Sequence, residues 1–274
     1  MNGSIHSVNE QAAEKAFSKQ SGIFDEIYSS NIIIQYKRQR VRDHLQLFLK
    51  PGSKILELNA GTGDDAVWLA KHGHVVHATD ISTGMQDKLV EKIHQNRLEA
   101  QVTHELCSFT ELNQLKNKGP YDLIFSNFAG LNCTGELDKV LHSFSLLLKP
   151  NGIVTLVILP KFCLWETLLF LKGDFKTAFR RFFSSKGVKA HIEGEYFTCW
   201  YYNPAYVSRN MKNSFEVLSV EGLCTLVPPS YLANFPTKRP ALFNWLTKKE
   251  GNWKLKWPWK SIGDYYIISL RRKL

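Results

Sequence analysis

The chain has 274 residues, 44% of them hydrophobic, which is enough for one large core and too apolar for a disordered protein. Lysine and arginine outnumber acids 35 to 25, and residues 238–274 hold ten basic against two acidic side chains, an asymmetry compatible with nucleic acid, an anionic membrane or a solvated face. The five cysteines are scattered and never form a C-x-x-C pair, so neither a zinc site nor a disulfide frame is indicated and reduced thiols in a cytoplasm are expected.

In chain order, "MNGSIHSVNEQAAEKAFSKQ" is polar and carries no apolar run behind a basic start, so it does not read as a secretory signal. Residues 23–50 read as an N-terminal helical arm ending at Pro51 and Gly52. From 53 to 160, strand-like runs at 54–58, 74–79, 101–106, 121–126 and 152–159 alternate with helical patterns at 65–72, 83–98 and 136–148. That alternation predicts a doubly wound α/β fold, a mostly parallel sheet covered on both faces. Beyond it, 160–212 is aromatic and basic with a helical pattern at 163–183, and 214–222 and 264–272 read as two late strands around a Pro- and Trp-rich stretch. The longest apolar run, "FCLWETLLFL", contains Glu166 and is too short to span a bilayer.

The chemistry concentrates in "ILELNAGTGDDAVWLA", residues 55–70, a strand, a glycine turn and a helix. Helix starts of this kind favour anions, yet here Glu57 precedes the turn and Asp64 and Asp65 follow it, which favours a ligand carrying positive charge over a pyrophosphate. The match of "GTGDDA" to the dinucleotide pattern G-x-G-x-x-A is weak by itself. Asp80, at the end of the next strand, sits where an acid accepts hydrogen bonds from ribose hydroxyls, without showing which nucleotide. NAD therefore stays open on these residues.

"LELNAGTG" with Asp80 in "DISTGM" and the run "FSNFAGLN" after "YDLI" resembles the class I S-adenosylmethionine-dependent methyltransferases over most of residues 50–160. The resemblance implies a Rossmann-like seven-stranded sheet, S-adenosylmethionine as cofactor, and transfer of a methyl group by in-line displacement. It assigns Glu57, Asn59, Ala60, Gly61, Gly63 and Asp64 to the cofactor turn, Asp80 to the ribose, Ile81 and Met85 to adenine, and Asn127 and Phe128 to the methionine part. Asn59 replaces the family's first glycine, and asparagine tolerates the left-handed backbone that position needs. At the third strand end, Ser108, followed by Phe109, replaces an aspartate that often accepts from the adenine amino group; serine still accepts.

Asn132, Tyr28 and Trp165 are candidates for acceptor contact, and His191 is the histidine considered as a base, although a loop asparagine is often a turn former and His191 reads as an exposed loop residue. No catalytic base and no metal ligand is assigned. The expected organisation is an arm (1–50), a cofactor core (51–160), a lid over the acceptor (161–213) and the last two strands with an insertion (214–274). The expected acceptor is a small or medium-sized metabolite. A nucleic-acid methyltransferase is the alternative, because "KKEGNWKLKWPWK" interleaves tryptophan with lysine, and a membrane-surface module is a further one.

Overall fold

The structure, a computed structural model, describes residues 8–184 and 186–274. The first seven residues of the polar N-terminus weighed above as a secretory signal lie outside them. Seven strands form one sheet: β1 (Lys54–Leu58), β2 (Val75–Asp80), β3 (Val102–Leu106), β4 (Tyr121–Ser126), β5 (Leu148–Ile158), β8 (Phe215–Leu223) and β9 (Tyr265–Arg272), in the order β3-β2-β1-β4-β5-β9-β8. The first five run parallel and β9 is antiparallel to both of its neighbours. β6 (Val188–Ile192) and β7 (Glu195–Cys199) form a separate hairpin.

Period-two alternation sorts the sheet into two cores. Leu56, Leu58, Ile124, Val154 and Leu156 face α5 (Leu137–Leu147) and α8 (Pro204–Met211). Ile55, Val76, Ala78, Leu123, Phe125 and Val157 face α2 (Ile32–Gln46), α3 (Asp64–Lys71) and α4 (Thr83–Asn96). The doubly wound expectation holds, and strand order reverses between β1 and β4, which opens a crevice at their carboxyl ends.

Local reading fails where tertiary partners decide. The arm is two helices: α1 (Val8–Ser30) starts well before residue 23, and Asn31 caps α2 by accepting from the backbone N–H of Ile33 and Ile34 at 3.0 and 3.2 Å. The early part of α1 has little hydrophobic contrast of its own, but Ala13 and Ala16 are buried against Cys133 and Phe197. The pattern at 163–183 breaks into α6 (Leu164–Leu168), a 3-10 turn and α7 (Phe175–Phe179), because Gly173 takes φ +81° and Asp174 caps the next turn. The Pro- and Trp-rich stretch contains short α9 (Phe235–Lys238) and the fourteen-residue α10 (Pro240–Trp253). The buried Glu250 of α10 accepts from the backbone N–H of Cys224, Thr225, Leu226 and Val227 at 2.8–3.0 Å, tying that helix to the loop after β8.

Candidate active site

β1 delivers its last residues into a turn whose backbone is left-handed at Asn59 (φ +45°), Gly61 (+57°) and Gly63 (+83°). Glycine is favoured at 63 on two counts, since a Cβ there would also lie 2.1 Å from Leu89 Cδ1 and force that buried side chain to move. Asn59 holds the turn with its side chain: its amide donates to Asn127 O at 2.8 Å and its carbonyl accepts from Ser126 Oγ at 2.6 Å, clipping the ends of β1 and β4 together. The amide occupies the space that a side chain at residue 130 would need, with Asn59 Cγ 2.3 Å from the Cβ position of Gly130. At the end of β2 the buried Asp80 accepts from Gly61 N at 2.8 Å and Ser82 N at 2.9 Å, and Ser82 caps α4. Burial raises the Asp80 carboxyl while these backbone donors oppose the rise.

These ends border a cavity of about 910 Å³, counted out to its mouth, which α1 and α2 close from the other side. Arg38 of α2 enters it between the acids, with Nη1 3.1 Å from Asp65 and Nη2 3.5 Å from Asp64. Asp65 also accepts from Arg42 Nε at 3.0 Å and from the Asn127 amide at 2.7 Å. Burial alone would raise the Asp65 carboxyl; the charges of Arg38 and Arg42 and these hydrogen bonds outweigh it and hold the group below its usual range. Asp64 is paired with Lys92 as well, and Lys92 reaches Asp25 of α1 at 2.8 Å. The expected acidic rim is thus largely matched by basic side chains from α2 and α4, and Asp64 and Asp65 by themselves do not make the turn electronegative. Glu57 differs. Burial, then the charge of Asp65, pushes its carboxyl well above the ordinary value, and its Oε2 is buried without a hydrogen-bond partner among the described residues. Arg38 Nε is buried and unpartnered in the same way.

Residues 55–152 match the family model described as a methyltransferase domain. The segment is a methyltransferase domain, set on the fold of S-adenosylmethionine-dependent methyltransferases. Among curated relatives, an uncharacterized methyltransferase of Synechocystis is 28% identical over 135 residues, covering 48% of this chain and 60% of the relative. The chain spans between 4% and 60% of the length of the curated relatives it matches. Among solved structures, the [4+2]-cyclase SpnF superposes with a TM-score of 0.65 at 14% identity over 99% of this chain and 98% of the other. The 1,6-didemethyltoxoflavin-N1-methyltransferase of Burkholderia thailandensis superposes with a TM-score of 0.56 at 13% identity over 100% and 94%. One of these neighbours is a cyclase and the other a methyltransferase, so likeness at such identity establishes the fold alone.

In the methyltransferase domain and its arm, the cavity brings together Glu57, Asn59, Ala60, Gly61, Asp64, Asp80, Ile81, Met85, Ser108, Phe109, Asn127, Phe128 and Tyr28, all singled out from the sequence. Gly63 lies behind them, at the start of α3. No motif in the sequence marks Glu10. Its carboxylate, from α1, accepts from Ser108 Oγ at 3.0 Å and Thr110 Oγ1 at 2.6 Å and lines the cavity where the resemblance expects a third-strand acid. Arg38 was missed for the same reason: both sit on a helical arm with no motif.

Asn132 does not face the cavity. It is fully buried, donating to Leu159 O at 3.2 Å and Trp200 O at 2.5 Å and accepting from Leu159 N at 3.0 Å, which makes it a latch between β4, β5 and the hairpin. Trp165 is also outside the lining, half-buried on α6. His191 is exposed on β6 and stacks on Tyr196 at 4.4 Å. In the Trp- and Lys-rich run, Trp253 packs on Trp259 at 5.0 Å and Lys254 pairs with the buried Glu221 at 2.7 Å, while Leu255 and Trp257 are exposed. Cys163, Glu166 and Asp264 cluster within 4.8 Å, but Arg181 donates to both carboxylates at 2.6 and 2.8 Å and takes the place of a cation.

Proposed function

We propose that the chain transfers the methyl group of S-adenosylmethionine to a small or medium-sized metabolite. The observation that carries this reading is the pair of buried, unpartnered atoms Glu57 Oε2 and Arg38 Nε on residues lining one cavity. An amino-acid head offers an ammonium to the first and a carboxylate to the second, whereas a dinucleotide phosphate leaves the buried acid unmatched and repelled. Glu57, Arg38 and Asn127 would hold the methionine end, Asp80 the ribose, and Ile81, Met85, Phe109, Ser108 and Glu10 the adenine.

When bound, the cofactor supplies a sulfonium methyl already activated for displacement. The protein's part is then orientation and exclusion of water, worth about 7–11 kcal/mol in favourable cases. Phe24 and Tyr28 of α1, stacked at 4.0 Å, and Phe128, edge-on to Tyr28 at 6.1 Å, form an aromatic wall on the acceptor side. Burial raises the Tyr28 phenol, so it stays protonated and serves as a donor rather than a base. The expected lid at 161–213 contributes no residue to the lining; α1 is the direct cover, backed by the β6–β7 hairpin through Phe197 on Phe17 at 5.7 Å.

Thermal unfolding with S-adenosylhomocysteine tests this directly. At a hundredfold excess over Kd the expected stabilisation is about 2.7 kcal/mol. A shift with NADH in its place overturns the cofactor, and methyl label that enters RNA rather than a metabolite extract overturns the acceptor.

A further inference from the structure

We propose that residues 168–183, in the insertion between β5 and β6, are a docking surface for an anionic phospholipid bilayer. Leu168, Leu171, Phe175, Phe179, Phe182 and Phe183 are all exposed, Leu171 by 70% and Phe183 by 82%, and they recur at intervals of mostly three and four residues. Large apolar side chains concentrated in this way on a soluble-type fold mark an interaction surface rather than chance exposure.

The segment is not a frayed loop, because its root is locked. Arg181 is buried and bonded to Glu166, to the Asp264 carboxylate and, at 3.0 Å, to the Asp264 carbonyl. Arg180 makes two further hydrogen bonds to Glu166, at 2.7 and 2.9 Å, and Leu164 N donates to Ile262 O at 2.9 Å. Phe162 and Phe182 meet edge to face at 5.5 Å. What is left outside is apolar and cationic: Lys172, Lys176 and Lys186 are exposed and belong to no ion pair among the described residues. Of the nearby acids, Glu166 is buried between the two arginines and Asp174 accepts from Thr177 N at 3.0 Å at the start of α7.

Charge complementarity selects the occupant. Phenylalanine and leucine enter the boundary between headgroups and acyl chains while lysine ammoniums remain among lipid phosphates. A second copy of the chain docked by two-fold symmetry would bring these unpaired lysines against themselves. A nucleic acid would gain nothing from the two leucines, which have no ring to stack on a base. The placement has a functional consequence. β5 ends and β9 begins at the edge of the sheet that carries the cavity, and Tyr265 lies edge-on to cavity-lining Phe128 at 6.3 Å. A chain seated on lipid by this segment presents that same edge to the membrane.

The experiment is co-flotation of the full chain with vesicles of phosphatidylglycerol and phosphatidylcholine, and with vesicles of phosphatidylcholine alone, at about 150 mM salt. Binding to the mixed vesicles should exceed binding to the neutral ones by about tenfold or more. The double variant Phe175→Ser with Phe183→Ser should lose about tenfold of the binding, and Lys172→Glu with Lys176→Glu should abolish the preference for anionic lipid while thermal unfolding stays unchanged. Wild-type protein that fails to float with either vesicle overturns the proposal. So does a chain that is dimeric without lipid and becomes monomeric in the phenylalanine variant, or one whose partition is unchanged in both variants. The melting shift with S-adenosylhomocysteine is read separately, so failure here and failure of the methyl-transfer reading are distinguishable.

Discussion

Residues 54–128 and residues 8–46 line one cavity from opposite sides, the first mainly with strand ends and turn backbone, the second with long side chains from two helices. In the sheet, position follows from local rules: glycine where φ is positive, an acid at a strand end, a serine cap on α4. In the arm nothing local marks Glu10 or Arg38. Each matters because of a partner far along the chain, Ser108 and Thr110 for Glu10, Asp64 and Asp65 for Arg38. The arm also sets the sign of the site, since Arg38 and Arg42 neutralise acids that look unpaired when the turn is read alone.

This division predicts different failures on the two sides. The largest effect is expected from Arg38→Met, which leaves Asp65 buried with one guanidinium in place of two: a loss of about 3 kcal/mol in denaturant unfolding, together with weaker S-adenosylhomocysteine binding in calorimetry. Unchanged stability would mean that the arm does not balance the site.

On the sheet side, Gly63→Ala combines a left-handed backbone with overpacking against buried Leu89 and should cost about 2–3 kcal/mol, read as a lower Tm. Glu10→Gln should cost about 1–2 kcal/mol of affinity for S-adenosylhomocysteine and erase its advantage over the inosine analogue, which lacks the amino group. Equal preference in both proteins would return adenine recognition to Ser108.

Acidification separates the two sides without mutation. A carboxyl raised above its ordinary value takes up its proton at a higher pH than usual, and protonated Glu57 no longer pairs with an ammonium. Affinity should therefore begin to fall at a pH above the ordinary glutamate value, and Glu57→Gln should flatten that dependence. The smallest effect belongs to Asn59→Gly: two hydrogen bonds are lost while a strained φ is relieved, for a net change of at most about 1 kcal/mol in stability.

The strands of the sheet were legible because alternating apolar residues and glycine stops are properties of neighbouring residues. The cavity residues from Glu57 to Phe128 were legible because strand ends at a reversal of strand order converge whatever follows them. Asn132 misled for the opposite reason. An asparagine after a strand reads alike whether its amide meets a ligand or, as here, two backbone carbonyls. The hairpin, α10 and the early half of α1 were illegible, since their stability comes from contacts such as Ala16 on Phe197 or Glu250 on the loop at 224–227, which no window of sequence contains.

By itself the sequence determined the doubly wound sheet and the turn at residues 59–63, because hydrophobic period and backbone sterics act over a few residues. Only the tertiary structure decided the charge balance of the cavity and which residue stands where the third-strand acid is missing. Electrostatic pairing depends on distance in space, and the groups that settle it, Arg38 and Glu10, are brought there by helices whose own sequence says nothing of their partners.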